Sequence, residues 1–250
     1  MSPPPRAVDR LGPTRRPAGP PQGFHQWRQL LFVHWELDPA VLQATLPAGL
    51  QLDTHEGRAY VGLVLFTMMG IRPTRVLPPL PGVSAFHETN VRTYVLGPDG
   101  RPGVWFYSLD AANSLAVRAA RIGWNLPYFR ADMQLEQQGD RLRYASTRRW
   151  PQPAPAGATV RATIGAPVGP VDPDGLTFFL AERYLLYAAA PSGALSVGQV
   201  HHAPYPLHHA TLDALDEDLL AAAGLHPAGQ PLPALFSPGV DVEVFPLLPA

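Results

Sequence analysis

Proline fills 31 of the 250 positions, and each proline inside a helix would remove a backbone hydrogen bond and clash with the turn before it. A chain interrupted this often cannot be a bundle of long helices. Short elements joined by rigid loops are expected instead. The prolines are unevenly spread, with seven in the first 21 residues, in MSPPPRAVDRLGPTRRPAGPPQG. That stretch has no aromatic residue and no apolar run, so it buries too little surface to offset chain entropy. Residues 1–22 are therefore expected to be a disordered leader and residues 23–250 a single domain. The leader is not a secretory signal, because Asp9, Arg10 and Gly12 interrupt Ala7, Val8 and Leu11. No later window is long and apolar enough for a transmembrane helix, so no membrane partner is expected and the cytoplasm is the default compartment.

From Phe24 onward, strand-like runs are closed by Gly, Pro or Asp at intervals of roughly ten to fifteen residues, the spacing of an antiparallel, mainly β architecture. HQWRQLLFVHWEL reads as a first strand. A short helix follows, with Asp38 as N-cap, Pro39 in its first turn and Gly49 beyond its end. LQLDTHEGRAYVGLVLFTMMGIRP reads as a hairpin turning near Glu56 and Gly57. A plainer hairpin surrounds GPDGRPG, where Asp99-Gly100 is a strong turn signal. AANSLAVRAARIGWNLP has good helix formers, apolar Leu115, Ala119 and Ile122, and an end marked by Gly123 and Pro127. Two strands flank Gly139-Asp140, ATVRATIGAP adds another, and a helical turn begins at Thr177. ERYLLYAAAPSGALSVGQVHHAPYPL reads as a hairpin, TLDALDEDLLAAAG as a surface helix and GVDVEVFPL as a terminal strand. The tally is nine or ten strands and three or four short helices.

Composition then excludes whole classes of chemistry. Basic and acidic side chains number 19 and 20, a net charge of -1, so no nucleic-acid partner is expected. There is no cysteine, hence no disulfide, thiolate nucleophile or cysteine-based metal centre. All 19 basic residues are arginine. Without a lysine amine these 250 residues cannot hold pyridoxal phosphate as an internal imine, form a lysine Schiff base with a ketone, or supply a Walker A lysine.

Familiar catalytic signatures, G-x-S-x-G, G-x-G-x-x-G after a strand and H-E-x-x-H, do not occur. His201, His202, His208 and His209 cluster in VHHAPYPLHHA, but neighbouring strand residues point to opposite faces and two prolines intervene. Neither a metal nor any other cofactor is expected. FHETNVRTYV is more specific. On a strand it places Glu88, Asn90 and Arg92 on one face with Phe86 and Tyr94, and His87, Thr89, Val91, Thr93 and Val95 on the other. Such a row of carboxylate, amide and guanidinium is either an internal ion-paired network or the lining of a polar pocket. The first strand repeats the pattern, with Arg28, His34 and Glu36 in phase with Leu30 and Phe32.

The runs LLFVHWELDPAVLQATLPAGLQLDTHEGRAYVGLV, FHETNVRTYVLGPDGRPGVWFYSLDAANSLAV, LPYFRADM, FLAERYLLYA and SPGVDVEVFPL, in this order, resemble the YqjF-like family of uncharacterised bacterial proteins. That family is similar in fold to acetoacetate decarboxylase, which implies an α+β, mainly β protein built on an antiparallel barrel or cone enclosing a pocket. In the decarboxylase a helix ending in Gly-Arg-Glu runs into a G-[FY]-P-K-K turn, whose first lysine forms the imine and whose second lowers its pKa. The matching stretch here is AARIGWNLPYF. The resemblance sets Arg121 on the motif's arginine, Ile122 on its glutamate, Pro127 on its proline, and Tyr128 and Phe129 on the two lysines. Glu88 matches the decarboxylase's pocket glutamate. A polar pocket without its nucleophile is implied.

Two functional classes follow. In one, the protein is an enzyme acting on a small carboxylate or carbonyl compound, with Glu88 as acid/base, Tyr128 as donor, Arg92 or Arg121 anchoring the negative group, and Asn90 and His34 completing the substrate site. In the other, the barrel is a non-catalytic carrier or sensor of a small molecule. A structural or interaction role rests only on the proline-rich leader.

Overall fold

The computed structural model describes residues 8–250 apart from 80, 81, 83, 115, 116, 118–120, 122, 123 and 152–155. Its strands are β1 (Gly23–Leu37), β2 (Gln51–Leu52), β3 (Ala59–Arg72), β4 (Ala85–Leu96), β5 (Pro102–Ala111), β6 (Tyr128–Gln138), β7 (Arg141–Trp150), β8 (Gly157–Pro167), β9 (Leu185–Ala189), β10 (Leu195–His201), β11 (His208–Glu217), β12 (Ala234–Val244) and β13 (Leu248–Pro249). Three α-helices lie wholly among the described residues: α1 (Pro39–Ala44), α2 (Leu176–Ala181) and α3 (Leu219–Ala222). Turn chemistry sets the hairpins where the sequence places them. Between β4 and β5 the Gly97 N–H donates to the Arg101 carbonyl at 3.0 Å, and Gly100 takes the positive φ of 78° that a side chain would resist. α1 begins as its cap residue dictates, with Asp38 accepting from the Ala40 N–H at 2.7 Å.

The strands form one sheet in the order β13-β10-β9-β5-β6-β7-β8-β11-β12-β1-β3-β4-β2, with two further pairings, β4 with β5 and β10 with β12. These pairings close the sheet twice. The first completes a nine-strand ring through β6, β7, β8 and β11, so the expected α+β, mainly β barrel is the observed architecture. The second completes a smaller circuit through β9 and β10, sharing the wall β12-β1-β3-β4-β5. Inside the nine-strand ring, Leu31, Val33 and Trp35 of β1 and Leu63 and Leu65 of β3 pack with Leu142 and Tyr144 of β7 and Val160 of β8. That lumen is a filled core. The opposite face of the wall carries Leu30, Phe32, Val64, Phe66 and Phe86.

Two of the three register shifts in the wall bear on its cavity face. Register slips between Arg28 and Leu31 where β1 meets β3, and Gln29 sits at φ 55°. The slip turns Arg28 outward, where it bonds Asp241 and the Val240 carbonyl, so Arg28 does not share a face with His34 as strict alternation implies. A second slip, at Val91/Arg92 against β5, leaves Tyr107 on the filled side and Phe106 and Leu109 on the other.

Several sequence expectations are corrected. TLDALDE is the end of β11, not a helix: a bulge between Leu212 and Ala214 spaces Leu212 and Leu215 three apart and mimics a helical stripe. Only Leu219–Ala222 is helical there. Gln51–Leu52 pairs with Val95 and Leu96 of β4 rather than folding back on β3, although the turn at Glu56-Gly57 is present as a His55–Arg58 bridge. The expected last strand is followed by β13. The helix read over AANSLAVRAARIGWNLP lies largely outside the described residues, and Ser114, Val117, Arg121 and Trp124 within it are helical.

The leader is also not free where it is described. Residues 8–22 run along the domain, and the Arg10 guanidinium donates twice to buried Asp53, at 2.6 and 2.8 Å. Arg16 pairs with Glu243 at 2.6 Å, Gln199 donates to the Pro13 and Arg15 carbonyls, and Pro13 is buried. Polar anchors hold this segment, and hydrophobicity alone gives no sign of them. Prolines lower the entropy that docking costs. Arg10→Ala is expected to lower the unfolding free energy by about 1–3 kcal/mol, read as a lower urea midpoint at unchanged m-value. An unchanged midpoint would mean that the strap contributes nothing to the fold.

Candidate functional site

Between the wall and the β9–β10 flap lies a cavity of about 460 Å³, a volume suited to a small organic molecule. Its lining is mostly apolar, with aliphatic residues such as Leu30, Val64 and Leu109 beside the aromatic Trp27, Phe32, Phe66, Phe86, Phe106, Trp124 and Tyr205. Polar groups converge from β4, from the start of β6 and from the chain after α2: Glu88, Asn90, Arg92, Tyr128 and Arg183. The even-numbered face of β4 therefore looks into open space, as alternation requires. Val91 on the odd face packs in the ring core, and His87 bonds the Thr67 hydroxyl at 3.0 Å. The cavity is not the lumen of the nine-strand ring but the space on the other side of its wall.

Glu88 is 3% exposed. The Tyr128 hydroxyl donates to its Oε2 at 2.9 Å, and the Asn90 amide gives it a further hydrogen bond. Burial outweighs both and raises the Glu88 pKa from 4.5 to about 7. The same burial, together with the Glu88 charge, holds the Tyr128 phenol well above its ordinary value. Arg92 does not pair with Glu88. Its Nη2 donates to the Leu180 carbonyl at 3.0 Å, its guanidinium lies 5.7 Å from the ring centres of both Phe32 and Tyr94, and its Nε has no partner. The Asn90 Oδ1 and the Trp27 Nε1 are likewise buried without partners. An ion-paired network does not form on this face.

Two expected site residues lie elsewhere. Arg121 is not in the cavity lining: its Nη1 donates to the Tyr128 carbonyl at 2.5 Å and its guanidinium stacks over Trp150 at 5.5 Å. It fastens the backbone that carries Tyr128. His34 shares the phase of Leu30 and Phe32 but lies beyond the cavity's end, hydrogen-bonded to the Tyr94 hydroxyl at 2.6 Å. Burial, then Arg92, holds its pKa well below the ordinary value, so it is a neutral core imidazole. Gly62 opposite leaves the room, since a Cβ there would stand 2.9 Å from the ring. Of the clustered histidines, His202 stacks on Tyr184 at 4.4 Å and burial lowers its pKa to about 4. Among the described residues no three His, Asp or Glu are grouped to hold a metal. Sequence reasoning missed Arg183, whose signal was a charged pair, Glu182-Arg183, inside the apolar run LTFFLAERYLLYAAA.

The pattern of DUF2071, a family of uncharacterised conserved proteins, matches residues 25–241. The chain belongs to this family. It is 38% identical over 222 residues to the uncharacterised protein YqjF of Bacillus subtilis (strain 168), covering 88% of this chain and 89% of that one. Among solved structures, the enduracididine biosynthesis enzyme MppR, complexed with the condensation product of pyruvate and imidazole 4-carboxaldehyde, matches with a TM-score of 0.62 at 12% identity, over 92% of this chain and 90% of that chain. Acetoacetate decarboxylase from Legionella pneumophila subsp. pneumophila str. Philadelphia 1 matches with a TM-score of 0.61 at 15% identity, over 98% and 96%. The DUF2071 chain thus has the acetoacetate decarboxylase-like fold.

The raised Glu88 pKa fixes the sign of a stability change. Unfolded, this carboxyl ionises near 4.5, and folded near 7, so the folded state holds the proton more tightly. Its stabilisation is complete below about pH 4.5 and is lost as pH rises through 7. Glu88→Gln removes the titration and retains an acceptor for Tyr128. Relative to the wild type, the variant is expected to gain on the order of 3 kcal/mol between pH 4.5 and pH 8, measured by urea unfolding at both. A pH-independent difference would show that Glu88 is not buried as described.

Proposed function

We propose that the cavity binds a small carbonyl or carboxylate compound and that Glu88 and Tyr128 move a proton on it without an imine to the protein. The observation that carries this reading is a carboxyl with a pKa near 7, hydrogen-bonded to a phenol at 2.9 Å and facing open space beside an uncompensated guanidinium. A group that titrates near neutrality serves as either acid or base. In the ionised state Glu88 takes a proton from the carbon next to a carbonyl. The resulting enolate oxygen accepts a hydrogen bond from the Tyr128 O–H, turned from Glu88, or from Arg92. Glu88 then returns the proton to carbon. Asn90 holds the carboxyl in place. MppR and acetoacetate decarboxylase, whose fold this chain shares, are both enzymes, which supports catalysis in a cavity of this kind. The absence of lysine separates the chemistry here from Schiff-base catalysis.

The aromatic lining favours a second reading, a non-catalytic carrier of small apolar molecules. One experiment separates the two. Straight-chain 2-oxo and 3-oxo acids of four to ten carbons are incubated with the protein in deuterated buffer, and exchange next to the carbonyl is followed by NMR. Accelerated exchange is expected for at least one acid, falling roughly 100-fold or more in Glu88→Gln. Ligand binding without exchange would establish the carrier reading, and neither binding nor exchange would overturn both. In parallel, borohydride reduction with the same acids is expected to leave every interior peptide unmodified, because no interior amine can form the imine. An interior adduct would contradict the proposed route.

A further inference from the structure

Arg183 stands just after α2 and, like Arg92, lines the cavity. The two guanidinium groups are mounted on the same support. Arg92 donates through Nη2 to the Leu180 carbonyl at 3.0 Å, and Arg183 donates through Nε to the Phe179 carbonyl at 2.7 Å, both in the last turn of α2. Both also lie over the Tyr94 ring, at 5.7 and 4.9 Å from its centre. Each is buried, 9% and 8% exposed, and each keeps one nitrogen without a partner: Nε of Arg92 and Nη2 of Arg183.

Charge does not balance here. The Asp53 carboxylate that Arg183 meets at 2.8 Å is shared with Arg10, and Arg92 has no carboxylate partner among the described residues. Burial lowers the Arg183 pKa to about 10, which still leaves it fully protonated at neutral pH. Buried cations with N–H groups left unmade are costly unless an anion joins them.

The geometry points to a carboxylate seat where Arg92 and Arg183 line the cavity, with the aromatic chamber holding the apolar body of the same molecule. This rests on the reading above and narrows it. The ligand is an amphiphilic monocarboxylate, held head-first by the arginine pair, with its chain or ring against Phe32, Phe66 and Trp27. Arginine suits this task, since its planar fork can hold a backbone carbonyl with one N–H and a carboxylate with another.

Trp27 and Trp124 line the cavity, so binding is read by tryptophan fluorescence. Octanoate and 3-phenylpropanoate are titrated against their methyl esters. The acids are expected to bind at least 10-fold more tightly than the esters. Arg92→Lys and Arg183→Lys retain charge but lose the fork, and each is expected to reduce that preference several-fold while ester affinity stays unchanged. Arg183→Met, in which Asp53 keeps Arg10, is expected to abolish it. Equal affinity of acids and esters, no binding of either, or an unaltered preference in all three variants would overturn the seat. In the unsubstituted protein, absence of an acid preference with Glu88-dependent exchange present defeats the seat alone. Loss of exchange with the preference intact defeats the proton-transfer reading alone.

Discussion

The wall β12-β1-β3-β4-β5 is apolar on both faces, and the remaining elements are arranged so that neither face meets water. β6, β7, β8 and β11 curl over one side, and their side chains form a packed core with it. β9 and β10 curl over the other and leave a void. A sheet buried on both sides cannot show simple alternation of apolar and polar residues along its strands. β3 illustrates this, with AYVGLVLFTM buried throughout. Polar residues on such a wall are therefore conspicuous, and in β4 they face the void.

The acids buried near this wall have unequal surroundings. Asp110 receives a two-pronged pair from Arg148 at 2.8 and 3.1 Å, and Asp53 is shared by Arg10 and Arg183. Each is compensated by guanidinium and belongs to the scaffold. Glu88 has only a phenol and an amide for company. The three arginines near Asp53 and Tyr94 also show why a lysine-free chain can still build a dense charged interior. A guanidinium stacks on a ring, binds a carbonyl and binds a carboxylate at once, whereas an ammonium is a hydrated point charge. Arg183 does all three, with its ring contact to Phe179 at 4.2 Å, and Arg148 does two, holding Asp110 while lying over Phe129 at 3.7 Å.

What the sequence disclosed follows from what is local. Asp99-Gly100, Gly139-Asp140, and Asp38 followed by Pro39 act through nearest neighbours, so the hairpins and α1 were legible. The facing of Glu88, Asn90 and Arg92 was legible because β4 itself has no bulge: its register with β3 is unbroken, and the slip against β5 inserts a residue in β5. The position of Arg28 was not, since the slip at Gln29 depends on β3 across the sheet. β11 was misread because its own bulge imitates helical spacing. His34 is in phase with the cavity face, but phase does not say how far along a strand a cavity extends. Arg121 aligned with a motif arginine and ended on the far side of the backbone it supports. The docking of residues 8–22 depends on Asp53, 43 positions from Arg10, a contact that no local pattern announces.

Tyr128 stands where the resemblance to acetoacetate decarboxylase sets a lysine, and its phenol meets the carboxyl that matches that enzyme's pocket glutamate. The exchange of amine for phenol changes what this corner of the fold can do. An amine beside a carboxyl offers a nucleophile, whereas a phenol held well above its ordinary pKa offers only a hydrogen-bond donor and leaves the titrating proton to Glu88. A purely apolar carrier would have no use for that proton, nor for the unpartnered Asn90 Oδ1, Arg92 Nε and Trp27 Nε1. Each such group costs roughly 1–3 kcal/mol when buried unmade. Filling those positions with well-packed apolar side chains would give a more stable barrel. Among the described residues, unpartnered buried atoms also occur on the ring side, at Thr89 and Ser146, but there they are hydroxyls. The cavity-lining residues Trp27, Asn90, Arg92 and Arg183 contribute an indole, an amide and two guanidinium groups, the costs that a polar ligand would offset.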